Sequence, residues 1–90
     1  MPEPDLLPSS NSAPARVLIR SSADLGAAVR AQRKRLGLKQ LDLAGLGNTG
    51  NRFIVELENG KPTVQLQKVL DMMDLLGLEV VVQPKAARMA

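Results

Sequence analysis

The stretch Gly50–Thr63, GNRFIVELENGKPT, decides how the rest of this 90-residue chain is read. At helical spacing Phe53, Ile54 and Leu57 share one side, while Asn51, Arg52, Val55 and Glu56 share the other. Asn59-Gly60 is a stop signal, and Lys61-Pro62-Thr63 breaks the chain again. The segment is therefore a short amphipathic helix from about Gly50 to Asn59, apolar inside and polar and basic outside.

Working outward, Gly47-Asn48-Thr49-Gly50 is a run of small residues that permits a tight turn into this helix. The preceding QLDLAGL, residues 40–46, predicts a short helix with Leu41, Ala44 and Leu43 inward. Before it, Ser21-Ser22-Ala23-Asp24 offers a capping box, with the Ser21 hydroxyl accepting from the amide three residues on and Asp24 reaching back. Leu25, Ala28, Val29, Gln32 and Leu36 then line one face, and Gly37 stops the helix. On the other side, a fourth helix carries Leu66, Val69, Leu70 and Met73 as its apolar stripe and stops at Gly77. Met72 and Met73 read as core filler or interface.

Two β-prone runs flank the helices, Arg16–Arg20 (RVLIR) and Leu78–Gln83 (LEVVVQ). They invite pairing with each other, and because a two-stranded piece is marginal alone, pairing across a homodimer is expected, with Val80, Val81 and Val82 as the dimer strand. The alternative is that each run packs against the helices. The predicted organisation is a disordered tail over 1–14, where four of the six prolines lie, a domain over 15–83 and a flexible tail over 84–90.

Composition excludes several classes of function. With no Cys and no His, thiol nucleophiles, thiolate or imidazole zinc sites, imidazole bases and disulfides are ruled out, and the remaining carboxylates, hydroxyls and lysines show no catalytic spacing. No enzyme, metal site or cofactor is expected. Phe53 is the single aromatic, which leaves nothing for base stacking on aromatic platforms. The first residues lack the charged start and apolar run of a signal peptide, and no apolar stretch approaches the roughly 20 residues that cross a bilayer. A cytoplasmic protein with no membrane partner is expected. Charge is uneven: residues 16–61 hold nine Lys and Arg against four Asp and Glu, an excess of +5, while the remainder is at −2. Such a distribution suits phosphate neutralisation around the central helices.

Residues 21–77 closely resemble an Xre-type (Cro/C1-type) helix-turn-helix domain, the fold of small phage repressors. The resemblance rests on a basic first helix, Gly37-Leu38-Lys39-Gln40, Leu43-Ala44 and the segment Ile54-Val55-Glu56-Leu57-Glu58-Asn59-Gly60-Lys61. It implies a mainly α fold of four to five helices with short terminal β-strands that pair in a dimer. With the strand after the fourth helix, the chain is most similar to the HipB-type antitoxins, whose members dimerise through terminal strands, repress their own operon and bind a HipA-type kinase toxin.

The resemblance also implies roles for residues. Gln40 opens the second helix, where the family glutamine meets phosphate or a first base, with Lys39 just before it. Asn51 and Arg52 take the leading outward positions of the third helix, suited to adenine and guanine edges in the major groove. Phosphate is the alternative partner of Arg52. Glu56, one turn on, either accepts from a cytosine amino group or disfavours wrong sites by its charge. Lys39, Thr49, Asn59 and Lys61 are expected at phosphates, and Arg33 and Glu58 as an ion pair joining the first and third helices. Lys39 and Gly50 depart from the hydroxyl-bearing residues usual at their helix starts. The function implied is a dimeric, nucleoid-associated repressor on an inverted-repeat DNA operator, serving as the antitoxin of a HipA-type operon. A stand-alone regulator without a toxin and a protein-interaction module that no longer reads DNA remain the alternatives.

Overall fold

The computed structural model describes residues 16–85. Four helices follow one another: α1 (Ser22–Arg35), α2 (Gln40–Leu46), α3 (Asn51–Glu58) and α4 (Leu66–Leu75). The fold is mainly α, and no fifth helix is found among the described residues. The expected tail over 1–14 and residues 86–90 of the expected tail over 84–90 lie outside them.

Each helix ends by one device. The chain turns left-handed at the second residue past the helix, so that the next two amides fold back onto carbonyls of the last turn. Gly37 (φ 75°), Gly60 (φ 82°) and Gly77 (φ 76°) serve α1, α3 and α4. At α2 the residue is Asn48, with φ 53°, while Gly47 is right-handed at φ −88°. The paired bonds are Gly37 N–H to Lys34 O and Leu38 N–H to Arg33 O at 3.0 and 3.1 Å, and Asn48 N–H to Gly45 O and Thr49 N–H to Ala44 O at 3.2 and 2.9 Å. After α3, Gly60 N–H reaches Leu57 O and Lys61 N–H reaches Glu56 O, both at 3.0 Å; after α4, Leu78 N–H reaches Met73 O at 2.8 Å. These folded-back ends keep the connections short and set the angles between successive helices.

The helix starts are less uniform. Ser21 caps α1 by accepting from the Asp24 amide at 3.0 Å. The Asp24 carboxylate accepts from Arg20 N–H at 2.9 Å, one residue earlier than the expected capping box places it. Lys39 before α2 supplies no capping oxygen, and Asp42 makes up part of the loss by accepting from the Lys39 amide at 2.7 Å.

The core is Val29, Leu43, Ala44, Ile54, Leu57, Val69, Met72, Met73 and Leu76, with Leu25, Leu38, Phe53, Val64 and Leu78 packed against it. Helix α3 lies against both α1 and α2. Four expected inward residues are corrected. In α2, Leu43 and Ala44 are buried but Leu41 is 69% exposed; in α4, Leu66 is 67% exposed and Leu70 faces partly outward, while Met72 and Leu76 fill the core. Leu36 is half exposed beyond the end of α1. Gln32, on the expected inner face of α1, is bonded: its Nε2 donates to the Leu76 carbonyl at 2.9 Å, tying α1 to the end of α4.

Residues 16–20 and 79–84 form neither helix nor strand in the single chain. Val17, Leu18, Ile19, Val80, Val81 and Val82 are all exposed. The strands expected over RVLIR and LEVVVQ are therefore not formed within the single chain, where neither run pairs with another to complete its backbone hydrogen bonds. Leu78 differs from its neighbours, since it is half-buried on the core and its amide closes α4.

Candidate nucleic-acid interface

Three helices meet at a buried ion pair. Arg33 of α1 donates through Nε to Glu58 Oε2 at 2.6 Å and through Nη2 to Glu58 Oε1 at 2.9 Å, the bidentate geometry that suits guanidinium and carboxylate. Arg33 Nη1 donates to the Leu38 carbonyl at 2.7 Å, just before α2. Both side chains are buried, and the hydrogen bond to Glu58 raises the Arg33 pKa despite the opposing effect of burial.

Glu58 Oε1 also accepts from Gln40 Nε2 at 3.1 Å, so one carboxylate fixes the start of α2 to α3 and α1. Gln40 is half-buried here rather than projecting freely. An open groove runs past this network, lined by Arg30, Lys39, Gln40 and Asn59 over the Arg33–Glu58 pair. Arg30 was not among the sequence candidates. Its only signal was its place one turn before Lys34 on the exposed side of α1, and a helix surface carries many such charges.

The outer face of α3 begins at Gly50, which supplies no side-chain cap. The Arg52 side chain is 87% exposed. Its Nε donates to Glu56 Oε2 at 3.1 Å, and Lys61 Nζ lies 3.3 Å from the same oxygen. The bond from Arg52, then that from Lys61, lowers the Glu56 pKa below the ordinary carboxylate value. Lys61 reaches Glu56 because the folded-back end of α3 brings its amide onto the Glu56 carbonyl. Asn59 is exposed at the end of α3.

Asn51 and Thr49 sit differently from the other candidates. Asn51 Oδ1 and Thr49 Oγ1 are turned away from solvent and have no hydrogen-bond partner. A two-point grip on adenine uses both the oxygen and the nitrogen of an asparagine amide, so Asn51 must rotate before it can make one. On the far side of α3, Lys68 of α4 lies over the Phe53 ring at 5.3 Å from its centroid, a contact with no sequence signature.

Two short helices joined by a tight turn, the second carrying an exposed arginine beside a basic groove, define a helix-turn-helix DNA-binding domain. The Helix-turn-helix family model matches residues 29–82. An uncharacterized HTH-type transcriptional regulator of Sinorhizobium fredii (strain NBRC 101917 / NGR234), y4mF, is 50% identical over 62 residues, which span 69% of this chain and 82% of that protein. The chain belongs to the helix-turn-helix family of transcriptional regulators. Among solved structures, a chain of a HipB-O4 20mer complex matches with a TM-score of 0.72 over 78% of this chain and 99% of that one. Sequence identity there is 21%, so this likeness is one of fold. No helix of the described residues is long and apolar enough to cross a membrane.

Proposed function

We propose that this protein is a homodimeric, nucleoid-associated repressor that reads an inverted-repeat operator with α3 in the major groove, and that it is the autoregulating antitoxin of a HipA-type kinase toxin. The observation that carries the DNA reading is the exposed guanidinium of Arg52 at the front of α3, on a face that also presents Lys61. Arg52 is matched to guanine O6 and N7, and Asn51, once rotated, to adenine N6 and N7. Gln40, held at the start of α2 by Glu58, meets phosphate or the first base. Lys39, Asn59 and Lys61 contact phosphates, joined by Arg30 across the groove and by Thr49 after rotation of its hydroxyl.

Replacing Arg52 and Asn51 together by Ala is expected to leave the fold intact, because neither side chain belongs to the core, and to abolish preference for operator over random duplex. Each good bidentate contact is worth about 1 to 3 kcal/mol of discrimination, so losing two should cost about 2 to 6 kcal/mol and lower the ratio roughly 30- to 20,000-fold at fixed salt, down to no preference at all where the wild-type ratio is smaller than that. Full site preference in the double variant, read by fluorescence anisotropy, would reject this role for α3.

Dimerisation is supported by the exposed aliphatics of 17–19 and 80–82, two apolar runs that a lone domain leaves in water. Strands shared between protomers would cover them and place two copies of α3 about one turn of DNA apart. Deletion from residue 79 onward spares Leu78 and the end of α4, and is expected to yield folded monomers in sedimentation velocity. A dimer of undiminished stability would exclude pairing through this run. The antitoxin role is supported by the resemblance to the HipB group and by the shared fold. A kinase-like reading frame beside this gene is its test, and without one the stand-alone regulator is the better description.

A further inference from the structure

Glu56 is the residue around which the outer face of α3 is arranged. Its Oε2 receives Arg52 Nε at 3.1 Å and Lys61 Nζ at 3.3 Å. Both cations arrive for reasons of backbone geometry. Arg52 lies one helical turn earlier on the same face, and Lys61 follows the left-handed Gly60, whose conformation folds the chain back over the last turn of α3. Only 27% of the Glu56 side chain is exposed, and the hydrogen bonds from Arg52 and then Lys61 lower its pKa, which favours the ionised form.

Holding Arg52 by Nε leaves the two terminal nitrogens of its guanidinium as the edge presented outward. A guanidinium fixed in this way loses less rotamer freedom on meeting a guanine than a free one does. The carboxylate meanwhile neutralises one of two positive charges, which weakens attraction to any phosphate, cognate or not. The two effects work together: the matched site gains from a pre-set fork, and unmatched DNA gains less from bare charge.

We propose that Glu56 determines the specificity of this face as a positioning residue, contacting no base itself but holding Arg52 and Lys61 so that DNA is bound tightly only where a guanine meets the Arg52 fork. The inference rests on the DNA-reading function above; of the two parts left open for Glu56 in the sequence it takes the charge effect over the cytosine contact, and it adds the hold on the Arg52 fork.

The test uses the full chain, a duplex selected in vitro from random sequence by the wild-type protein, and a scrambled duplex of equal length, across a KCl series. Glu56→Gln keeps the shape of the side chain and removes its charge. It is expected to bind the scrambled duplex about ten-fold more tightly and to lower the selected-to-scrambled ratio about ten-fold. The slope of log K against log salt should steepen by about 0.9, the value for one more net charge on duplex DNA. In an Arg52→Ala background the same substitution should leave the ratio unchanged, because Glu56 acts on it through Arg52. A thermal melt confirms that each variant is folded, and Glu56→Ser provides a second neutral variant should the Gln form fail to fold. The proposal is overturned by an unchanged ratio and slope. It is overturned equally if affinity for the selected duplex falls in both backgrounds while scrambled binding is unchanged, which would make Glu56 a direct base reader. Failure of the wild-type protein to prefer any duplex would instead defeat the DNA-reading function, and this inference with it.

Discussion

Glu58→Leu is expected to cost about 3 to 5 kcal/mol of folding stability, the usual range for removing one partner of a buried ion pair. A single core in a domain this small rarely supplies more than about 3 to 5 kcal/mol, so the variant should be largely unfolded in dilute buffer. The size of the effect follows from what Glu58 holds. It takes two hydrogen bonds from Arg33 and one from Gln40, and its loss leaves a buried guanidinium with only the Leu38 carbonyl. The companion variant, Arg33→Met with Glu58→Leu, replaces the pair by apolar groups of similar bulk. It should regain most of the loss, falling short by about 1 to 2 kcal/mol because the Leu38 carbonyl and the Gln40 amide lose their partners. Urea titration followed by circular dichroism reads both. If the single variant were as stable as the double, the pair would not be the junction described above.

Even where it folds, that double variant should bind its operator less well. Gln40 would lose the acceptor that fixes the start of α2, and the groove beside Lys39 and Asn59 would exchange its charged floor for an apolar one. The pair therefore links stability to function through one carboxylate.

Gly26→Ala is the second large effect. Helices α1 and α3 cross so closely that a Cβ on Gly26 would run into the Leu57 carbonyl oxygen and stand 2.8 Å from that of Glu58. These are backbone atoms and cannot swing aside, so the helices must part. The expected cost is about 3 kcal/mol, at the upper end of ordinary overpacking. Parting them also pulls Arg33 away from Glu58. Gly45→Ala is the matched control, because a Cβ there meets nothing within 4 Å. Inside α2 it should stabilise by about 0.5 to 1 kcal/mol, the difference in helix propensity. Calorimetric melting of the two variants should move in opposite directions, and a common direction would discard the close-crossing account.

The order of the helices and the positions of their stops were legible because they depend on local chemistry. Gly37, Gly60 and Gly77 occupy the left-handed positions that glycine takes at little cost, and Ser21 caps α1 through its own side chain. Rotation about each helix axis was less legible. Helices of seven and ten residues offer only two or three turns, and QLDLAGL holds leucines on several sides. Packing against α3 chose Leu43 over Leu41, and in α4 the core chose Met72 and Leu76 over Leu66 and Leu70. A shift of one residue turns a helix by about 100°, so a stripe with several apolar candidates is settled only by its neighbour.

The candidate site divides along the same line. Sequence alone placed Arg52 and Asn51 at the front of a polar helix face and gathered positive charge around it, because side-chain periodicity and charge are properties of the string. It carried no sign that Asn51 turns its oxygen inward, that Gln40 is held by Glu58, or that Lys61 and Arg52 share one oxygen of Glu56. Two of those facts join residues brought together by helix crossing or by a left-handed turn, and the third depends on which rotamer the packed turn leaves open. Helical periodicity reports which way a residue faces. Only the folded chain brings the helices close enough to decide what it faces.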